Sequence, residues 1–275
     1  PNAHTLRKFT GELLRQKEVQ VFISQAGGFD FAYGYLDEVK EWLLKQPYPF
    51  TMVVQNVAEL GCTLSLREAA MQQEVFEKAT AVGFVSARNL LSAERILAAE
   101  IPRHFLINNP LNFHALPAYI PFPENDIAQF AVVAALRCFH KGQDMLLQVL
   151  SQPKWKERSW ELHLYGEGPD KGYLKKLAAF YTLEERIFFH GHITDISRVW
   201  TQHQLHILPS LGEGTPLALI ESMLAGRAVI TTDVGGNASY ATHLENGFIA
   251  AYPTFPSLDD VMELAWNKRL QWEEM

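Results

Sequence analysis

Strand-like and helix-like segments alternate strictly along this chain, twice over, with one proline-rich break between the two runs. No other feature constrains the fold as much. Short apolar runs separated by segments of 3.6-residue periodicity predict parallel strands with helices packed on both faces of the sheet. In the first run, Val19–Ser24, Thr51–Gln55, Val82–Ser86 and His104–Ile107 read as strands. Tyr35–Lys45, Leu66–Ala79 and Asn89–Ala99 read as helices. The strands are apolar on both sides (MVV, FLI), as strands covered on both faces should be. Then Asn109-Pro110-Leu111-Asn112, followed by Pro117, Pro121 and Pro123, breaks the pattern and predicts a linker.

The alternation then restarts. Phe130–Leu136, Glu161–Tyr165, Ile187–Phe189, Leu205–Leu208, Ala228–Thr231 and Gly247–Ala250 read as strands. Helices are expected around Met145–Leu150, Lys171–Tyr181, Ile196–Gln202, Leu217–Ala225 and Ala238–His243, with a last one running from Leu258 to the end. The expectation is an α/β protein of two Rossmann-like, doubly wound domains, residues 1–124 and 125–275, the first of them truncated. Ligand chemistry is expected on the turns at the carboxyl ends of the strands.

Composition narrows the function classes. With 48% hydrophobic and 20% charged residues among 275, the chain can bury a core, which excludes disorder and coiled-coil character. No apolar run approaches the roughly 18 to 20 residues of a membrane-spanning helix, which leaves only peripheral membrane association open. A net charge of −7, from 24 basic and 31 acidic residues, gives no footprint for nucleic acid. Two cysteines, Cys62 and Cys138, without metal-type spacing, fit a reducing cytoplasm. The chain opens at Pro1 with neither initiator Met nor signal-peptide pattern, and so reads as a fragment.

Four turns of the second half carry candidate chemistry. Arg137 and Lys141, with Gly142 behind them, follow a buried strand; they suit an anionic ligand such as a diphosphate, or are two solvated basic residues. Gly166-Glu167-Gly168-Pro169 follows the next strand; glycines there permit close backbone approach, though an ordinary strand-to-helix turn would look the same. In Pro209-Ser210-Leu211-Gly212-Glu213-Gly214-Thr215-Pro216-Leu217, Thr215 is expected as the helix N-cap and Pro216 as the first helical residue. That arrangement turns amides and the positive end of a helix dipole toward a phosphate. Glu221 lies in the helix that follows, among nearly all apolar neighbours. A carboxylate there needs hydrogen-bond donors, from ribose hydroxyls or from a structural partner. Asp233-Val234-Gly235-Gly236-Asn237 is a further glycine turn.

From Phe130 onward the chain resembles the retaining GT-B glycosyltransferases of glycosyltransferase family 4 (group 1 type). The resemblance rests on Arg137…Lys141-Gly142, Gly166-Glu167-Gly168-Pro169, Pro209-Ser210, Glu213-Gly214-Thr215-Pro216-Leu217…Glu221, Ala225-Gly226, Gly235-Gly236 and Asn246-Gly247-Phe248, with Glu213 and Glu221 in the family's E-x7-E spacing. It implies a metal-independent transferase with no cofactor. The implied substrates are a nucleotide-sugar donor, a UDP-sugar before a GDP-sugar, and a glycan, lipid or other acceptor that the sequence does not identify. Arg137 and Lys141 are implied to bind the donor diphosphate. Glu213, Gly214, Thr215, Pro216 and Leu217 are implied at the donor sugar, Glu221 at the ribose, and Gly166 and Gly168 at the donor. Glu213, Arg137 and Lys141 are the implied catalytic residues.

The chain departs from the family's pattern in two places. Ser239 stands where a Glu usually follows the Gly-Gly turn, and Gln55-Asn56 where many relatives carry a His. The first half matches more loosely. Asn109 resembles the family's domain-junction Asn, and the opening strand with its glycine loop is missing. Ser24-Gln25-Ala26-Gly27-Gly28-Phe29-Asp30 is a candidate for the acceptor side or a plain structural turn. A 2-epimerase acting on nucleotide sugars, or a non-catalytic nucleotide-binding scaffold, would share these features. Among the histidines, His140 is a candidate to face phosphates, while His190 and His192 read as strand-end residues, and Asp259-Asp260 as residues opening a helix.

Overall fold

The structure is a computed structural model that describes residues 21–25, 37–57, 59, 63–111 and 120–275. The turn proposed for the acceptor side lies, from Ala26 onward, outside the described residues, as does Tyr35 of the first expected helix. The chain divides into two compact units, one ending at Ile107 and one beginning at Asn108.

In the first unit, β1 (Val21–Gln25), α1 (Asp37–Lys45), β2 (Phe50–Val54), α2 (Leu66–Lys78), β3 (Ala81–Phe84), α3 (Ala87–Leu97) and β4 (His104–Leu106) follow in order. The four strands pair in parallel in the order β1-β2-β3-β4. Sequence signals set the helix starts. Ser65 and Glu68 form a reciprocal capping box at α2, and the Ser86 hydroxyl accepts the Asn89 amide at α3. Met52, Val82 and Phe84 of the strands bury against Leu43, Val75 and Phe76 of the helices. The apolar FLI stretch does not behave as expected. Phe105, Leu106 and Ile107 are 36%, 56% and 39% exposed, because β4 is the edge of this sheet and no described element covers it.

The second unit runs β5 (Ala128–Val133), α4 (Cys138–Lys141), α5 (Gln143–Leu150), α6 (Pro153–Lys156), β6 (Trp160–Tyr165), α7 (Lys171–Phe180), β7 (Ile187–Gly191), α8 (Ser197–Trp200), β8 (Leu205–Leu208), α9 (Leu217–Leu224), β9 (Ala228–Thr232), β10 (Gly247–Ala250) and α10 (Phe255–Asn267). All six strands are parallel, in the order β10-β9-β8-β5-β6-β7. The chain works outward from β5 to β7, then returns to the other side of β5 and works outward again. Where those two directions part, between β5 and β8, the connections leave a crevice at the carboxyl ends. Packed under the sheet is a core in which Phe130 stacks on Trp160 and meets Trp155 and Trp272 edge-on. Among the described residues no helix is long and apolar enough to cross a membrane.

Three expected features differ. Ala238–His243 is not a helix but a single 3₁₀ turn, Asn237–Ser239. The Asn237 amide donates to Thr231 Oγ1 and to the Thr232 carbonyl, which pins the chain to β9 and outcompetes helical bonding. The last helix starts at Phe255, so Asp259 lies past its first turn. There it accepts bonds from Gln152 and Lys154 instead of facing the dipole. Finally, the proline-rich segment grouped by sequence with the first domain is tied, from Ile120, to the second unit. The buried Arg227 guanidinium donates to the carbonyls of Ile120 and Pro121, and Gln204 to that of Pro123.

Candidate functional site

The site is built at the switch point from the loops after β5, β6, β7, β8 and β9. After β5, the chain makes the short helix α4, with Arg137 at its N-cap and Lys141 at its end. Arg137 stays exposed. Lys141 instead reaches across to the loop after β8, where its Nζ lies 2.5 Å from Glu213 Oε1. The pair is largely withdrawn from water, the side chains being 24% and 8% exposed. A second donor, the Ser210 hydroxyl, sits 2.6 Å from the same carboxylate oxygen.

Two glycines make this proximity geometrically achievable. Gly142 (φ +62°) ends α4, and a Cβ there would lie 2.1 Å from the Pro209 carbonyl oxygen. Gly235 (φ +52°) lets the loop after β9 pass against Glu213, whose carbonyl would be 2.0 Å from an added Cβ. Backbone bonds from Leu211 to the His140 carbonyl (2.9 Å) and from Gly236 to the Gly214 carbonyl (3.0 Å) complete the junction. The His140 imidazole is held below its usual pKa, by burial first and then by the neighbouring Lys141 and Arg137 charges.

The helix after β8 starts one residue later than expected. Pro216, not Thr215, is the N-cap of α9, and Leu217 is its first residue. The Thr215 carbonyl accepts from Leu217 across a tight turn, while that of Pro216 accepts from Leu219 and Ile220, the first helical bonds. Proline costs nothing at a position whose missing N–H has no helical role.

One turn into α9, Glu221 is 5% exposed and lines a pocket of about 430 Å³. Val133, Ala134 and Ala135 of the β5 loop, Tyr165, Gly166 and Glu167 of the β6 loop, and residues 192–194 and 196 after β7 form its other walls. Gly168 does not line it. Its role is packing: a Cβ there would strike the Leu136 carbonyl oxygen at 2.3 Å. In the same loop Asp170 accepts the Cys138 amide at 2.8 Å and so caps α4 from a distance.

The predicted residues thus fall into an arrangement. Lys141 meets Glu213, Gly166 and Glu221 share a pocket, and Gly214 to Leu217 connect the two parts along the chain. Arg137 stands apart as an exposed cation at the start of α4. Sequence reasoning named Ser210 and His192 without giving them a role in the site, and singled out neither Asp170 nor the other pocket residues after β7. For the last, the available signal was its place just after a strand, the same signal that singled out Gly166. Chemically the arrangement offers cations for a dianionic group and a carboxylate in a pocket able to accept hydroxyls.

Residues 128–264 match the family model described as glycosyl transferases group 1. An uncharacterized glycosyltransferase of Haemophilus influenzae is 31% identical over 150 residues, which cover 53% of this chain and 42% of that protein. The poly(ribitol-phosphate) alpha-N-acetylglucosaminyltransferase of Staphylococcus aureus is 27% identical over 135 residues, 48% of this chain and 27% of that one. Among solved structures, sucrose-phosphate synthase from Thermosynechococcus elongatus superposes with a TM-score of 0.74 at 17% identity, over 98% of this chain and 69% of that chain. TarM superposes at 0.72 and 18% identity, over 96% and 52%. The fold is therefore that of GT-B glycosyltransferases. The chain spans less than half the length of the curated relatives it matches.

Proposed function

From the match of residues 128–264 to the glycosyl transferases group 1 model, we propose that this protein is a metal-independent glycosyltransferase that takes its sugar from a nucleotide donor and retains anomeric configuration. The observation that carries this reading is that the loops at the carboxyl ends of one sheet hold both the Lys141–Glu213 pair and a pocket lined by Glu221. In this reading Arg137 and Lys141 bind the diphosphate and meet the charge that develops on it as the leaving group departs. Glu221 accepts the ribose hydroxyls in its pocket, and Glu213 with Gly214–Leu217 holds the transferred sugar. Retention follows from same-face substitution assisted by the donor phosphate. Glu213 already receives two hydrogen bonds on one oxygen, which suits a holding carboxylate better than a nucleophile. The donor is a UDP-sugar. UDP-N-acetylglucosamine is the first to test, since it appears in the names of the streptococcal relatives. The acceptor is a glycan, a lipid or another hydroxyl compound, and the reaction is cytoplasmic.

The test is calorimetric titration of UDP and GDP into the wild-type chain and two variants. Arg137→Ala removes a charge-assisted contact and Glu221→Gln weakens an acceptor of hydroxyl donors, each worth about 1.5 to 3 kcal/mol, so UDP affinity should fall roughly tenfold or more. Arg137 is exposed, so its variant should melt with the wild type. Unchanged UDP affinity in both variants would overturn the assignment.

A further inference from the structure

Ser210 is fully buried, although it follows β8 in a loop at the mouth of the site. Its position is fixed from below: the Thr232 hydroxyl, on the neighbouring strand β9, donates to the Ser210 carbonyl at 2.5 Å. Thr231 donates likewise to the Leu208 carbonyl at 3.0 Å, and Asn237 holds both threonines, through Thr231 Oγ1 and the Thr232 carbonyl. The Ser210 hydroxyl is thereby aimed at Glu213 Oε1, 2.6 Å away. Lys141 Nζ donates to the same oxygen at 2.5 Å. Both donors that the described residues supply to this carboxylate converge on Oε1, and none goes to Oε2. A carboxylate held by one oxygen has its plane and its second oxygen fixed, with acceptor capacity left for a ligand.

We propose that Ser210 is a positioning residue for the donor sugar: with Lys141 it occupies Oε1 of Glu213 and so presents Oε2 to the sugar hydroxyls. This rests on the reading of Glu213 as the sugar-holding carboxylate. Ser210 touches no ligand itself and acts through Glu213. Its removal should therefore weaken binding of the sugar portion of the donor and leave binding of the nucleotide portion alone.

The experiment compares UDP with UDP-N-acetylglucosamine and UDP-glucose by calorimetric titration, with a melting curve for each protein. Ser210→Ala should bind the better of the two UDP-sugars five- to tenfold more weakly than wild type. Its UDP affinity should stay within twofold. In a Glu213→Ala background, where no carboxylate remains to be held, adding Ser210→Ala should change UDP-sugar affinity by less than twofold. Equal loss of UDP and UDP-sugar affinity would mean that Ser210 only supports the loop, and would overturn the proposal. So would an undiminished effect in the Glu213→Ala background, or unchanged UDP-sugar affinity in Ser210→Ala. Should Ser210→Ala fail to fold, Ser210→Cys keeps the volume with a weak donor and is held to the same comparison. If wild type binds neither UDP nor a UDP-sugar, the functional reading itself fails. If wild type binds both and Ser210→Ala matches it, only the role of Ser210 fails.

Discussion

The Lys141–Glu213 pair makes a quantitative prediction about stability. Glu213 is 7% exposed, and its carboxylate has two donors, Lys141 and Ser210. Replacing Lys141 with Met keeps the aliphatic stem but strands a buried negative charge on a single hydroxyl. Breaking a fully buried pair costs about 3 to 5 kcal/mol, and because the Lys141 side chain is 24% exposed we expect about 2 kcal/mol. Glu213→Gln leaves an ammonium that water can reach and an amide oxygen that still accepts from Ser210; about 1 kcal/mol is expected. The double variant buries no charge and should cost less than the two singles together, with a coupling of about 1 to 2 kcal/mol. Urea unfolding followed by tryptophan fluorescence measures this in the right place. Five of the six tryptophans, Trp155, Trp160, Trp200, Trp266 and Trp272, lie in the second unit. With a urea slope of about 2 kcal/mol/M, the Lys141→Met midpoint should fall by about 1 M. Additivity of the singles within about 0.5 kcal/mol would show that the pair does not form in solution and that Lys141 does not hold Glu213 in the site.

Two further outcomes are expected. Burial holds His203 at about 4 and His206 at about 3, against an ordinary 6.5, so the folded protein keeps both neutral where the unfolded chain takes up protons. Their contribution is complete above pH 6.5 and shrinks as pH falls toward the folded values, by up to about 1.4 kcal/mol per pH unit for each histidine. A melting temperature that is flat between pH 7 and pH 5 would contradict this. Gly235→Ala forces a side chain into the left-handed region and within 2.0 Å of the Glu213 carbonyl oxygen. It should cost at least about 2 kcal/mol in the urea assay and weaken UDP-sugar binding, and a change under about 0.5 kcal/mol would refute the close approach.

The sequence by itself determined what depends on near neighbours. Short apolar runs alternating with segments of 3.6-residue periodicity gave the order of strands and helices and hence their parallel pairing. Glycine turns after strands marked Gly166 and Gly235 as places where backbone could come close, and the family resemblance singled out Glu213 and Glu221. Where local bonds compete, sequence reading slipped by a residue or an element: Pro216 took the cap from Thr215, and Asn237 pinned its loop to β9 where a helix was expected. Tertiary structure alone decided the rest. Only the placement of β8 beside β5 puts Lys141 against Glu213, 72 positions away, and turns two separate motifs into one ion pair. The same placement buries Ser210 under Glu213 and gathers His192–Ile196 into the pocket of Glu221. Local periodicity carries no information about which strands become neighbours, because that choice is made by burial of whole sheet faces and not by any single segment.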